Sequence, residues 1–325
     1  MKRTALRVVH LLLCSMPFMA VVAHAQTDYP TKAIRFVLPF PPGSGTDSAA
    51  RESGNYIARR TGRAVIVENK PGGNGLIAAQ QAAQAAPDGH TVFITSMTTQ
   101  SVNPYLYKKL PYDPVKDFVP VAMLSKSAMV LVVRNSFDQP KSVLELTAKL
   151  EAQGEKLSFA SGNTSSLVAA ETYKRLAMSP STVHVPYKGN PQAISDLIGG
   201  NVDFMFADLT VASPLLKQGV IRALGVTGSE RSSILPDVPT MREVGIPIEL
   251  TIWIGAYVPA KTPSTIINRL NELLNESTQT KEAKERFRLS GGSVVKMTAN
   301  EFQKFNESEL QIWGRAVRAA GIQAE

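Results

Sequence analysis

Cysteine is nearly missing from this 325-residue sequence. The single cysteine, Cys14, lies inside an apolar stretch near the start of the chain. If that stretch is removed, no thiol remains, which excludes disulfides, thiolate metal ligands and a cysteine nucleophile. The protein must then be stabilised by its hydrophobic core, which a chain of this length can supply.

Histidine is also scarce, and only His90 and His184 lie beyond residue 25. A serine hydrolase needs a histidine base beside its nucleophile, and a catalytic zinc site needs several ligands. His90 follows the turn Pro87-Asp88-Gly89 and is expected at the surface, whereas His184 lies in an apolar strand pattern typical of a structural residue. No Gly-x-Ser-x-Gly elbow is present. The sequence favours a protein that is not an enzyme and uses no metal or cofactor, with an exported hydrolase as the enzyme alternative.

Long charged blocks and long apolar runs are missing as well. The net charge is +8, but the basic residues are scattered, and no block is long enough for a nucleic-acid arm. Beyond residue 25 no apolar segment approaches the length of a membrane span. A mild positive field would still help to collect anions.

The first 25 residues have the pattern of an export signal. A basic start precedes an apolar stretch over 8–22, and Ala23-His24-Ala25 follows. This order is typical of a secretory signal peptide cleaved after Ala25. Leu13 stands where a lipoprotein needs a small residue before its cysteine, which favours plain cleavage. The sequence therefore predicts a periplasmic protein.

Strand-like and helix-like segments alternate along the rest of the chain. Strands are predicted at 34–38, 65–67, 91–94, 129–133, 157–159, 182–185, 202–206, 221–226 and 251–255, and helices at 48–60, 76–86, from about 167, and over much of the chain after 264. This alternation of strands and helices predicts α/β units with mostly parallel sheets, and the length of the chain suits two such units. Trp253 and Trp313 are expected to pack in the core or at an interface, with Trp253 the better candidate for a ligand contact.

Two loops share one form. Each of Gly43–Asp47 and Ser161–Ser166 follows a strand, is rich in small polar residues and opens a helix. Helix N-termini carry free N–H groups and attract carboxylate or phosphate, and ligands of open α/β sheets lie beyond the strand ends where such loops occur. The first loop lacks the third glycine of a dinucleotide fingerprint, since Ser48 stands there, and it lacks the lysine of a P-loop. If the two units face each other, both helix ends can meet in one cleft.

Taken together, the motifs resemble those of the Bug-type extracytoplasmic solute receptors of tripartite tricarboxylate transporters, over essentially the whole chain after the signal peptide. The resemblance is carried by YPTKAIRFVLPFPPGSGTDSAAR, VIVENKPGGNG, AAPDGHTVFI, NPYLYKKLPYDPVKDFVPV, VPYKGNPQAISDLIGGNVDFMFAD, LPDVPTMREVG and YVPAKTP. It implies a type II-like periplasmic binding protein that closes by a hinge on a small organic acid. The two doubly wound domains would be 26–125 plus 251–325 and 126–250, with crossings near Lys126 and Leu250.

The predicted ligand-binding residues fall into four groups. They are Phe40, Pro41, Gly43, Ser44, Gly45, Thr46 and Asp47 in the first wall, Ser161, Asn163, Thr164 and Ser165 opposite, Ser96, Thr98 and Asn103 from a third loop, and Tyr187 and Asp208 in the distal part. Thr46 or Asp47 is expected to cap the first helix. The family often has a histidine where Ser166 and Leu167 stand, and a small residue in place of Met97, so the ligand cannot be copied from a relative.

The expected partners follow from the same resemblance. The protein is expected to be a monomer that presents a mono-, di- or tricarboxylate, aromatic acids included, to the membrane subunits of a transporter. A sensor that presents its ligand to a signalling protein, and an orphan receptor without a transporter, are the other possibilities. The sequence does not separate these three.

Overall fold

The computed structural model describes residues 29–289 and 291–324. The predicted signal peptide, its cleavage site and Cys14 lie outside those residues. Among the helices that are described, we find none with both the length and the apolar character needed to cross a membrane.

The described residues form an α/β fold of alternating strands and helices. The strands are β1 (Ile34–Leu38), β2 (Val65–Asn69), β3 (Thr91–Ser96), β4 (Phe118–Arg134), β5 (Ser158–Ser161), β6 (Val183–Pro186), β7 (Phe204–Asp208), β8 (Ile221–Val226), β9 (Thr251–Pro259) and β10 (Gly292–Ser293). The helices are α1 (Gly45–Thr61), α2 (Leu76–Ala83), α3 (Asn103–Leu106), α4 (Val143–Gln153), α5 (Thr164–Leu176), α6 (Asn190–Gly199), α7 (Leu209–Lys217), α8 (Ser264–Gln279), α9 (Lys281–Leu289) and α10 (Ala299–Ala319).

Strand β4 joins two half-sheets. The first half-sheet has the order β2-β1-β3-β9-β4, with β10 also on β4. The second has the order β4-β7-β5-β6, with β8 also on β4. Pairing of β4 with β9 ends at Ala128, opposite Thr251, and pairing of β4 with β7 begins at Met129. The chain therefore crosses between the halves along β4, and the flanking helices pack against both.

The long strand β4 differs from the sequence prediction, which placed a strand only at 129–133. Its segment before Met129 pairs with β9, while the hydrophobic segment from Met129 to Val133 pairs with β7 and β8. The side chains of Met129 and Leu131 enter one core, and those of Val130 and Val132 enter another on the opposite face. This alternation is the two-residue period of a strand covered on both faces.

Two helices begin earlier than predicted, so their first residues lie in segments that the sequence assigned to the loops. Helix α1 starts at Gly45 because Ser44 caps it, with Ser44 Oγ accepting from the Asp47 N–H at 3.2 Å. The predicted capping role of Thr46 or Asp47 is therefore wrong. Helix α5 starts at Thr164, since Asn163 caps it. Both loops are thus shorter than the sequence indicated.

The tryptophans are in the core, as predicted. Trp253 and Trp313 are each 1% exposed, and their Nε1 atoms donate to Glu309 at 2.9 and 3.1 Å. Burial raises the pKa of Glu309, and these two donors partly offset that effect. The shared carboxylate fixes β9 against α10.

Candidate functional site

A small cavity lies between the two half-sheets. We call it the inner cavity; its volume is about 30 Å³. Its lining residues are Phe40, Ser44, Gly45, Thr46, Ser96, Met97, Ser125, Ser127, Gly162, Asn163, Gly189, Asn190, Asp208, Thr210, Ile252, Trp253 and Ile254. The lining contains one carboxyl group and no lysine, arginine or histidine. A space of this size holds about two water-sized groups, so a larger guest requires the halves to separate first.

Four helix N-termini converge on the inner cavity. The first residues or caps of α1, α5, α6 and α7 all line it: Gly45, Asn163, Asn190 and Asp208. The free N–H groups of the first helical turn give each N-terminus a partial positive charge. One helix comes from the first half-sheet and three from the second. The partial positive charges of the four N-termini together make the cavity attractive to an anion, although no cationic side chain lines it.

The N-terminus of α1 is fixed so that two N–H groups stay available. Asp47 Oδ2 accepts from the Gly43 N–H at 3.0 Å, and Arg51 and Asn69 hold the same carboxylate. These contacts lower the pKa of Asp47 despite the opposing effect of desolvation. The Gly43 N–H is therefore bound by the Asp47 carboxylate, and the Asp47 N–H is bound by the Ser44 hydroxyl. The N–H groups of Gly45 and Thr46, at the first two helical positions, have no acceptor within the helix.

The N-terminus of α5 has a matching arrangement. Asn163 Oδ1 accepts from the Ser166 N–H at 2.9 Å, and Ser166 Oγ accepts from the Asn163 and Gly162 N–H groups at 3.4 and 3.1 Å. The Ser165 hydroxyl donates to the same Asn163 oxygen at 2.7 Å. The remaining Asn163 amide nitrogen donates to Asp208 Oδ1 at 3.3 Å and lines the cavity. Ser166 thus completes the cap of α5.

Two polar residues of the inner cavity wall differ from the rest: Asn190 lacks hydrogen-bond partners, and Asp208 has a raised pKa. Asn190 is 3% exposed, and neither atom of its amide group has a hydrogen-bond partner within standard distance. Burial raises the pKa of Asp208 to about 6, and the hydrogen bond from the Asn163 amide partly offsets that effect. The carboxyl of Asp208 can therefore be neutral or charged near physiological pH, and the Asn190 amide is free to bind a guest.

A second cavity adjoins the first and is larger. We call it the outer cavity; its volume is about 230 Å³. It shares Phe40, Gly162 and Asn163 with the inner cavity. Its other lining residues are Pro39, Gly72, Gly73, Asn74, Gly75, Thr98, Pro186, Tyr187 and Lys188.

The structure separates the predicted site residues into three sets. The inner cavity is lined by Phe40, Ser44, Gly45, Thr46, Ser96, Asn163 and Asp208, and the outer cavity by Phe40, Asn163, Thr98 and Tyr187. Neither cavity is lined by Pro41, Gly43, Asp47, Asn103, Ser161, Thr164 or Ser165. Asp208, predicted in the distal part, lies in the inner cavity instead.

The residues outside both cavities have other contacts. The Ser161 hydroxyl pairs with His184 Nε2 at 2.7 Å, and the Asn103 amide donates to the backbone of Asn74 at 2.9 Å. Pro41 packs so closely on Gly189 that a Cβ there would lie 2.5 Å from its ring. Several of these residues therefore build the walls rather than face the cavities.

Part of the lining of the inner cavity was not predicted from the sequence. Asn190 and Gly189 lie in a strand-loop-helix junction of the same form as the two loops that were singled out, so that form was a usable signal. Ser125, Ser127 and Thr210 carry no local signal. They reach the cavity because β4 crosses between the halves and α7 begins beside it.

Both histidines have contacts inside the fold. His184 stacks on Phe159 with ring centroids 4.9 Å apart, and burial lowers its pKa. The nearby Glu171 carboxylate is paired with Lys174 at 3.0 Å. His90 is buried against Tyr29, and its Nδ1 lies 2.9 Å from the Asp88 carbonyl oxygen, so its predicted surface position is wrong. Across residues 29–289 and 291–324, no three acidic or histidine side chains are grouped as metal ligands.

Comparison with known proteins gives a consistent result. Residues 49–322 match the model of the tripartite tricarboxylate transporter family receptor. The chain is 32% identical to protein BugT of Bordetella pertussis over 300 residues, which is 90% of each protein. It resembles the structure of an R. palustris protein with adipate (TM-score 0.87, 28% identity, 91% of this chain and 100% of that one). It also resembles MatC from Rhodopseudomonas palustris with bound malate (TM-score 0.84, 30% identity, 89% of this chain and 100% of that one).

Proposed function

The chain belongs to the tripartite tricarboxylate transporter receptor family, and we propose that it holds one carboxylate of a small organic acid in the inner cavity. It is a solute-binding receptor for carboxylates with the fold of a periplasmic binding protein. The similar proteins with adipate and malate bind di-acids, which makes this class the first to test here.

The convergence of four helix N-termini on one cavity carries the proposal. A carboxylate there would accept from the Gly45 and Thr46 N–H groups on one side and from Asn163 and Asn190 amide nitrogens on the other. Each helix dipole contributes about 0.3–1 kcal/mol, and each hydrogen bond to a charged group about 1.5–3 kcal/mol. Because the donors come from both half-sheets, binding favours the arrangement in which the halves are together.

Two consequences for the molecule complete the proposal. The hinge would lie where β4 passes from β9 to β7, at Ala128 and Met129, and where β9 begins at Thr251. The domains would then be 26–125 plus 251–325 and 126–250. Closure would change the surface offered to the membrane subunits of a transporter, and no bond of the ligand would be broken.

The location of the protein follows from the start of the sequence. We propose export to the periplasm with cleavage after Ala25, outside the described residues. The family's receptors work there, and the basic-apolar-small pattern of the first 25 residues supports it.

The test is a calorimetric and thermal-shift screen of the purified receptor. Malate, adipate, citrate and benzoate would be compared with their amide counterparts, which have nearly the same shape but no charge. We expect at least one acid to bind in the micromolar range or tighter and its amide to bind at least a hundredfold more weakly. Equal binding of acid and amide would contradict the anion cavity.

A further inference from the structure

Five cationic side chains share one surface near the ends of α3, α5 and α10. We call it the basic face; its members are all exposed, and they are Lys108, Lys109, Arg175, Arg315 and Arg318. Within residues 29–289 and 291–324, none of the five makes an ion pair. Two acidic residues near them in the sequence already have other partners. Asp113 is paired with Lys116 at 3.5 Å, and Glu171 is paired with the lysine that precedes Arg175, at 3.0 Å.

Contacts between the three helices hold the basic face together. The Arg318 guanidinium lies over the Tyr105 ring of α3, 5.6 Å from the ring centroid. Arg315 precedes Arg318 by three residues on α10, so both side chains project from the same face of that helix. Just after α10, a Cβ on Gly321 would collide with the Arg175 guanidinium at the end of α5. The two lysines follow closely after α3, so the five charges form one continuous patch.

Exposed apolar side chains border the basic face on two sides. Leu176 and Met178 are 41% and 81% exposed, and both follow Arg175 at the end of α5. On the other side, Val115 is 56% exposed and lines an open groove together with Lys108. Cationic side chains beside exposed apolar ones are typical of surfaces that lie on a membrane, where the charges reach lipid phosphates and the apolar groups enter the headgroup layer. An acidic protein surface would match the charges alone.

Met178 has a backbone conformation that favours glycine. Its φ is 49°, and its N–H donates to the Arg175 carbonyl at 3.1 Å, while the Ser179 N–H donates to the Lys174 carbonyl at 3.0 Å. This is the left-handed turn that ends many helices and is usually made by glycine or asparagine. A methionine there costs conformational energy, and a residue that is 81% exposed gains little from burial. The fold therefore does not need this side chain, which points to a role at the surface.

We propose that the basic face docks the receptor on a membrane surface rich in anionic lipid. The five cations contact lipid phosphates, and Val115, Leu176 and Met178 enter the headgroup layer. None of the five cations lines the inner or the outer cavity, so the proposal does not rest on the carboxylate site.

The basic face nevertheless adjoins the outer cavity. The Asn74 amide, in the wall of that cavity, donates at 2.7 Å to the hydroxyl of Tyr107, the residue before Lys108. Docking therefore holds the outer cavity close to the bilayer, where the membrane subunits of a transporter would lie.

The test is flotation of the purified receptor with lipid vesicles. Vesicles of phosphatidylcholine with about 30% phosphatidylglycerol are compared with vesicles of phosphatidylcholine alone. We expect at least tenfold tighter binding to the anionic vesicles, and a loss of at least tenfold when the salt concentration is raised from about 50 to about 500 mM. Lys108→Glu combined with Lys109→Glu should weaken binding to the anionic vesicles at least tenfold. Met178→Gly should weaken it severalfold, yet melt at the same or a higher temperature, because it relieves the strained backbone.

Arg59→Glu combined with Arg63→Glu is the matched control. Both arginines are exposed at or just after the end of α1, which packs on the opposite face of the first half-sheet from α3 and α10. This pair changes the net charge by the same amount and should leave vesicle binding within about twofold of the parent. Arg315→Glu is a second probe of the basic face, to be used if circular dichroism shows that the lysine pair does not fold.

Two results would overturn the proposal. If the parent does not bind the anionic vesicles at low salt, lipid is not the occupant of the basic face, and an acidic protein surface replaces it. If the lysine pair and the arginine pair lose binding equally, the vesicles attract only the net charge of the protein and there is no docking face. The carboxylate affinity in solution should be unchanged in every variant, so either result leaves the proposed function standing.

Discussion

Thr210 Oγ1 lies 2.8 Å from the position that a Cβ atom on Gly45 would occupy. Gly45 begins α1 beside the first half-sheet, and Thr210 lies in the first turn of α7 beside the second. Both residues line the inner cavity. The two halves therefore touch at the cavity wall, and the contact is close enough to need glycine on one side.

Gly45→Ala should hinder this contact and weaken ligand binding. The added methyl cannot fit against the β-branched Thr210 unless the halves stay slightly apart, so we expect the Kd of the screened carboxylate to rise about tenfold or more. Gly45 has no positive φ, so the free protein should keep its stability within about 1 kcal/mol. Calorimetry gives the first quantity and thermal denaturation the second.

The control for that experiment is Thr210→Ala, which removes the colliding oxygen. Gly45→Ala should cost little when it is introduced into the Thr210→Ala protein, because the nearest remaining Thr210 atom would be 3.9 Å away. Equal losses in the two backgrounds would show that the collision is not what weakens binding.

Asn190→Ala should affect binding and stability in opposite directions. The amide is 3% exposed and unpartnered, so removing it removes the desolvation cost of a buried polar group. We expect the free protein to melt at the same or a higher temperature, and the carboxylate to bind about tenfold more weakly. Asn163→Ala is the contrast, since losing a helix cap costs about 1 kcal/mol of stability as well. A clear drop in the melting temperature of Asn190→Ala would indicate a structural role instead.

Asp208 should make the stability depend on pH. Its pKa is raised from 3.8 to about 6, so the folded protein holds a proton that the unfolded chain releases near pH 4. The free energy of unfolding should therefore fall as the pH rises through the window from about 4 to 6, by on the order of 2–3 kcal/mol. Asp208→Asn should be the more stable protein at pH 7.5, and the difference should vanish at pH 4.

The same group should also set the pH dependence of binding. Below about pH 6 the neutral Asp208 does not repel a bound carboxylate, so affinity should rise between pH 7.5 and pH 5.5. Asp208→Asn should bind equally well at both values. Tighter binding by the parent at pH 7.5 would instead show that a charged Asp208 accepts from a hydroxyl or ammonium group of the ligand.

Ser161 and His184 should contribute stability and no catalysis. Their side chains are 2.7 Å apart, but Ser161 lines neither cavity, and the nearby Glu171 is paired with Lys174. We expect no hydrolysis of nitrophenyl esters above background, and a loss of roughly 1 kcal/mol of stability in Ser161→Ala. Ester turnover that disappears in Ser161→Ala would revive the hydrolase alternative.

The proposed export signal gives a further prediction. Cleavage after Ala25 places Gln26 at the mature N-terminus. Sequencing or intact-mass analysis of protein from the periplasm would measure it. A lipid-modified start at Cys14 would contradict the prediction.

Local patterns predicted most of the elements but few of their ends. The strand at 221–226 is where the sequence placed it, because its apolar run has clear boundaries. Helix α1 and helix α5 each begin three residues early, because Ser44 and Asn163 cap them and glycine or threonine can occupy the first turn. Strand β4 was underestimated because its first part joins a different half-sheet from its second.

The sequence by itself determined the α/β fold, the family, and the two loops at which α1 and α5 begin. These follow from short-range causes: hydrophobic periodicity, capping residues and the motif order. The convergence of α6 and α7 on the same cavity, the orphan amide of Asn190, and the near-contact of Gly45 with Thr210 were decided only by the tertiary structure. Each depends on how β4 and β9 bring the half-sheets together. That packing places Gly45 beside Thr210, 165 positions away in the chain, and no local sequence pattern predicts a contact over such a separation.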